Sequence, residues 1–292
     1  MYTNFPLYPT EIFNTTDYPV QTDNTDTVYA DLINALRAEM QAVFNELGTL
    51  PKGDSVSVAA RLTAIEADLP EKLSNPIAQW KMNDNAATTN VIESIGTIGD
   101  GTAQQNTDQL DTTGKINGAL TFNGSTDYID TNEKTAFNFG AGDFSVALWV
   151  YVDVWENDYP FISNALFTGH WDGFYIRGIL GENFGATIVD VQINGNNGGR
   201  VVNTWYHVAV TRISGTVYIY VNGALDNSGV AAGNITVDRN LLIGRNPDTT
   251  YPRHFDGKLD DVRIYDFGLV LDDVQALYKY GLGTEKENPF IF

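Results

Sequence analysis

The chain has 292 residues, no cysteine, and 37 acidic against 17 basic side chains, for a formal net charge of −20. That balance excludes nucleic acid and anionic membrane as main partners, because phosphate recognition needs clustered Lys and Arg. The lack of cysteine excludes disulfides, thiolate metal sites and cysteine nucleophiles, while 43% hydrophobic residues with 27 Gly and 15 Tyr indicate a folded, sheet-rich chain.

Residues 1–24 place Pro6, Pro9 and Pro19 among Thr and Asn without a helical period, which predicts an extended arm. The arm is open to two readings, a segment that docks in an assembly or a frayed terminus. No basic n-region or apolar h-region follows Met1, and no run approaches the ~20 apolar residues of a membrane span. The expectation is no membrane insertion, and release by lysis rather than by secretion if the protein acts outside a cell.

From Thr25 to Leu47 the pattern turns helical, with Asp26 as cap and Gly48 as stop. Tyr29, Ile33, Leu36, Met40, Val43 and Leu47 alternate in four- and three-residue steps, the spacing of a heptad seam. Ile33, Met40 and Leu47 take the a positions; Tyr29, Leu36 and Val43 take d. A second helix is predicted from about Ser55 to Leu69, striped by Val58, Leu62, Ile65 and Leu69 and ended by Pro70. Helices this short are marginal alone, so their stripes must be covered. Residues 25–74 are therefore expected to form a coiled-coil-like oligomerisation stalk, with a homotrimer as the expected state. A two-helix hairpin packed on the next domain is the alternative.

From Ile77 onward, short alternating apolar runs are separated by Gly, Asn and Asp turns. Ser214-Gly215 and Asn222-Gly223 are hairpin signals, since type I′ turns need residues that tolerate positive φ. Roughly a dozen strands without a long helix predict a mainly β fold, an antiparallel two-sheet jelly-roll sandwich over residues 75–282. A short helix from Asp272 to Tyr280 closes it, before a C-terminal tail at 283–292. The strand around Val262 to Tyr265 is expected to pair with the opening strand near Gln79 to Met82.

Four ordered segments resemble the laminin-G-like branch of concanavalin A-like lectin and glucanase domains. They are Gly118 to Gly124 with Tyr128-Ile129, Phe144 to Val150, Thr204 to Thr211 leading to Tyr220 to Gly223, and Gly257 to Tyr265. The resemblance implies that Trp149 and Trp205 lie on core strands and are buried. It implies fold more than function, since this fold hosts binding, enzymatic and structural roles. Separately, Asn34 to Thr49 followed by Ser57 to Leu62 resembles a segment of bacteriophage fibre and virion proteins.

The glucanase relatives need paired carboxylates on one strand face, and no Glu-x-Asp-x-x-Glu or similar run is present. The chain is thus expected not to be an enzyme. His170, His207 and His254 are far apart in sequence and suggest no triad. The fold often carries Ca²⁺, a hard cation held by several loop oxygens. Asp100, Asp127, Asp260 and Asp261 are the candidate ligands, although Asp261 equally suits an ion pair with Arg263. Sugar binding calls for aromatic faces beside amides and carboxylates. The loops around Trp171, Tyr175, His170 and Asp172, and around Trp155, have that mixture, and ordinary packing is the competing reading for Trp171.

Together these readings predict a subunit of the virion surface: a phage fibre or spike protein whose lectin-like domain attaches to host glycans, with other virion proteins docked through the arm. Two alternatives stay open, a capsid decoration or head-fibre protein that needs no ligand, and a free extracellular lectin.

Overall fold

The computed structural model describes residues 75–155, 158–167 and 170–283. The arm, both predicted helices with the stripe from Tyr29 to Leu47, and the tail from 284 lie outside these residues.

The described chain is a sandwich of two antiparallel sheets. The first runs in the order β14 (Ala224–Val230), β13 (Thr216–Val221), β12 (Trp205–Ile213), β7 (Phe144–Val152), β16 (Asp256–Tyr265), β5 (Gly118–Asn123) and β4 (Asp111–Thr113), with β1 (Ala78–Trp80) also paired to β16. The second runs β11 (Val191–Asn194), β10 (Asn183–Ile188), β9 (Phe174–Ile179), β8 (Tyr159–Ser163), β15 (Leu242–Ile243), β6 (Ile129–Asp130), β3 (Gly101–Ala103) and β2 (Asn90–Val91). Two helices complete it, α1 (Thr107–Leu110) and α2 (Leu271–Gly281).

Strand period sets the layers, since alternate side chains point to opposite faces. On β7, Phe144, Val146, Leu148, Val150 and Val152 enter the core between the sheets, where they meet Phe161, Phe174, Ile176 and Phe184. The intervening Ser145, Ala147, Trp149 and Tyr151 face outward. The expected pairing of the chain ends is present: Ala78, Gln79 and Trp80 oppose Ile264, Arg263 and Val262. Both predicted hairpins form, with φ of 50° and 76° at Ser214 and Gly215, and 52° and 75° at Asn222 and Gly223.

Helix α2 covers part of the outward face of the first sheet. Val274 and Leu277 pack with Ala147, Ala209, Tyr220, Tyr265 and Leu269 in a second, smaller core. Its last residue, Gly281, lies so close to the Trp149 indole that a Cβ would stand 2.4 Å from the ring. Trp149 is buried as expected, but beneath this helix rather than between the sheets. Trp205 departs from expectation: it is only half-buried, because helix α2 ends before reaching its row.

Candidate ligand-binding face

The outward face of the second sheet carries a polar constellation centred on Asp158 and Arg177. On β9, Phe174 and Ile176 point into the core, which turns Tyr175 and Arg177 to the opposite face. Asp158, just before β8, has φ of 69°, a left-handed conformation that Asp tolerates better than most residues. Its Oδ1 lies 2.6 Å from Arg177 Nε and its Oδ2 3.5 Å from Arg253 Nε. The Tyr175 hydroxyl donates to the Asp158 carbonyl at 2.7 Å. Arg177 Nη1 donates to the Thr187 hydroxyl, and its guanidinium sits 4.9 Å above the Tyr175 ring.

Burial pushes the Arg177 guanidinium below its ordinary range, and the Asp158 carboxylate acts in the opposite direction. Burial drives the Tyr175 phenol well above its usual value, so it stays a neutral donor. Two depressions open on either side of Asp158. One, of about 260 Å³, is lined by Asp158, Arg177, Ile179, Leu180, Gln192 and Asn194. The other, of about 320 Å³, is lined by Gly124, Ser125, Asp158, Tyr159, Pro252, Arg253 and His254. Burial lowers the His254 imidazole, so it too is neutral near pH 7.

The residues expected to bind sugar fall into different roles. Trp171 is half-buried, with its ring 5.3 Å from Phe167 and 5.7 Å from Tyr175, and Phe167 is 53% exposed. The Trp171 backbone N–H donates to Asp190 Oδ1 at 2.6 Å. His170 is exposed beside it. Asp172 is a clasp: its carboxylate takes Nη1 and Nη2 of Arg239 at 2.7 and 2.8 Å and the Leu166 N–H at 2.9 Å. Tyr175 is fully buried and joins Trp171 to Asp158 as a support. Trp155 packs on Tyr159 and Phe184 at the core margin, with a buried Nε1.

The four carboxylates expected for calcium are each engaged by the protein. Asp100 accepts from Asn90 Nδ2 and the Glu93 N–H, which together hold it below the usual carboxylate range. Asp127 accepts from Gln105 Nε2 at 2.6 Å. Asp260 Oδ2 accepts the N–H groups of Lys115 and Ile116, both at 2.7 Å. Asp261 accepts from Gln79 Nε2 at 2.6 Å and pairs with Arg263. No group of three or more His, Cys, Asp or Glu able to hold a metal occurs among the described residues.

Sequence reasoning passed over Arg177, Thr187, Gln192 and Arg253, and took Asn194 only as the start of an Asn-Gly-rich tip with adaptable donors. Arg177 carried one signal, a lone cation inside the apolar run Phe174 to Ile179, since a buried Arg requires a partner. Thr187, Gln192 and Asn194 become its neighbours only through the pairing of β9, β10 and β11, and Arg253 comes from the segment between β15 and β16.

Residues 123–275 match the family model described as the concanavalin A-like lectin/glucanases superfamily. No curated protein matches the chain. Among solved structures, domain 4 of a GH43 extracellular arabinanase from Geobacillus stearothermophilus, in complex with arabinotriose, is similar at TM-score 0.55 and 21% identity, over 70% of this chain and 98% of its own. The binding domain of Paraclostridial mosquitocidal protein 1 is similar at TM-score 0.53 and 16% identity, over 70% of this chain and 52% of that one. The binding domain of botulinum neurotoxin DC, in complex with rat synaptotagmin II, gives 0.52 and 17%, over 71% and 52%. The chain thus spans about half the length of the two toxin domains, and at these identities the likeness is one of fold. The matched residues make up just over half of the 292, and the chain belongs to the concanavalin A-like lectin/glucanases superfamily.

Proposed function

We propose that this lectin-type sandwich binds glycans through the face built on Asp158 and Arg177, and that the chain is a surface subunit of a virus particle. One observation carries the binding reading. A nearly fully buried guanidinium, fixed by Asp158 and Thr187, lines an open depression beside two exposed amides, Gln192 and Asn194. The held guanidinium and carboxylate need little ordering on binding, and the exposed amides beside them supply the donors and acceptors that sugar hydroxyls match. The half-exposed Trp171 offers an aromatic face nearby. Glycan binding on this fold has a precedent in the arabinanase domain, whose structure contains arabinotriose.

Binding rather than cleavage is the reading favoured by the lining. Asp158 is the single carboxylate among the residues that line either depression, and it is committed to two arginines. Glycoside hydrolysis needs a pair of carboxyl groups with separate roles.

The virion assignment rests on sequence alone. Its support is the heptad stripe from Tyr29 to Leu47 and the fibre-like segment around it; in this proposal residues 1–24 are a docking arm, 25–74 a trimerising stalk and those from 75 the sandwich. Two experiments test the reading. A glycan array probed with the full-length protein should give a selective set of hits, and an array without hits would favour a decoration role. Sedimentation should give a trimer at micromolar concentration, converted to monomer by Leu36→Asp with Val43→Asp; a monomeric parent would refute the stalk.

A further inference from the structure

On the opposite sheet, register assembles a second constellation from four strands that are distant in sequence. Thr121 on β5 pairs with Lys258 on β16, Lys258 with Tyr151 on β7, and Tyr151 with Trp205 on β12. The four side chains form one row across the outward face, spanning about 14 Å at ~4.8 Å per strand. All four are half-buried. The Tyr151 and Trp205 rings stand 5.4 Å apart at 58°, and Lys258 Nζ lies 4.6 Å from the Tyr151 ring centre.

The next row along these strands, Asp260, Trp149 and His207, is closed off. Tyr278 of α2 stacks on Trp149 at 5.7 Å, Gly281 abuts the indole, and Lys115 Nζ lies 5.1 Å from its ring. Helix α2 ends there, leaving the Tyr151–Trp205 row uncovered among the described residues. On its other side runs a polar border. Asn123 is the register partner of Asp256, the Asp153 N–H donates to the Asp256 carbonyl at 3.3 Å, and the Asn203 N–H donates to the Val152 carbonyl at 2.8 Å. Asn123 and Asn203 are exposed, and Asp153 and Asp256 are half-exposed.

We propose that this row is a second carbohydrate site, one that takes a short neutral oligosaccharide lying across the strands. The chemistry selects a sugar. Two partly exposed rings match the apolar faces of pyranose or furanose units, and the carboxylates and amides beside them match hydroxyl donors and acceptors. The rings are carried by the long central strands β7 and β12, so the site is fixed before binding. Two border carboxylates against one lysine favour a neutral chain over an acidic one. The site shares no residue with the depressions around Asp158 and does not rest on them.

The test uses the full-length protein labelled with 5-fluorotryptophan, which contains five tryptophans. The Trp205 and Trp171 fluorine resonances are assigned from Trp205→Phe and Trp171→Phe proteins. Arabinotriose, cellotriose, maltotriose and lactose are then titrated to millimolar concentration. The expected result is that at least one of the first three shifts the Trp205 resonance, and does so equally in the Trp171→Phe protein. Tyr151→Ala should weaken that response about tenfold while leaving any Trp171 response intact. A Trp205 resonance unmoved by every sugar, or moved only when Trp171 is present, would overturn the proposal. So would a Trp205→Ala protein that loses its cooperative melt, since that outcome assigns the indole to packing by chain or partner rather than to an open site.

Discussion

The Tyr175 hydroxyl donates to the backbone carbonyl of Asp158 at 2.7 Å, tying the middle of β9 to the one residue that both depressions share. Tyr175→Phe removes that bond and leaves the ring that supports Arg177. The expected cost is about 1 kcal/mol of stability, read by chemical denaturation. Glycan affinity should fall as well, because Asp158 loses one of the contacts that hold its left-handed backbone. Unchanged affinity in a folded Tyr175→Phe protein would separate Asp158 from the binding face.

Trp171 is half-buried, with aromatic neighbours on one side and an exposed loop on the other. Trp171→Ala is expected to weaken glycan binding while lowering stability modestly. A loss of ~3 kcal/mol or more, the size expected for emptying a buried aromatic site, would assign the indole to packing instead.

Gly281 is required by proximity rather than by backbone conformation. An added methyl group would meet the Trp149 indole at 2.4 Å, and Trp149 is pinned by Tyr278 and by its strand neighbours. Gly281→Ala should therefore push α2 off the sheet and cost about 1–3 kcal/mol. Differential scanning calorimetry checks this, and an unchanged melting temperature would show that the helix end can shift freely.

Two buried titratable groups set opposing pH trends. Burial pushes the Asp260 carboxyl up to about 8, aided by Asp261 and opposed by the Lys115 and Ile116 N–H groups. A raised folded value means that its stability contribution is full below the ordinary carboxylate range and is lost as pH rises through about 8. Burial pushes the His207 imidazole down to about 3, so its contribution is present above about 6.5 and lost as pH falls through about 3. The window from about pH 7.5 to 8.5 isolates Asp260 from His207, whose imidazole is almost wholly neutral there in both states. The melting temperature should fall across that window, and Asp260→Asn should flatten the trend. Asp84 and Asp273 are also raised by burial, so a slope that survives Asp260→Asn unchanged would assign it to them.

The sandwich was legible because the strands that carry the core alternate plainly. Phe144 to Val152 and Trp205 to Arg212 could be read as strands, and Ser214-Gly215 and Asn222-Gly223 announced their turns. Short strands such as β6 and β15, two residues each, leave no period to detect. The bulge between Asp260 and Arg263, with φ of 48° at Asp261, was equally silent, because a bulge is a property of the pair of strands. Sites depend on such lateral relations. Tyr175 was read as a surface aromatic from its loop-like neighbours, but pairing of β9 between β8 and β10 buries it. Trp205 was placed in the interior because its strand is a core strand, yet its parity on β12 turns it outward, beyond the reach of α2. Asp158 offered only composition; its importance comes from Arg177 and Arg253, 19 and 95 positions later.

The most direct test of glycan binding at the Asp158 face is calorimetric titration of the best-binding array glycan into the full-length protein and into a Gln192→Ala, Asn194→Ala variant. Both side chains are exposed and line the depression, so the variant should fold and melt like the parent. At least a tenfold loss of affinity, about 1.4 kcal/mol, is expected from two lost polar contacts. Equal affinity in the two proteins would contradict it.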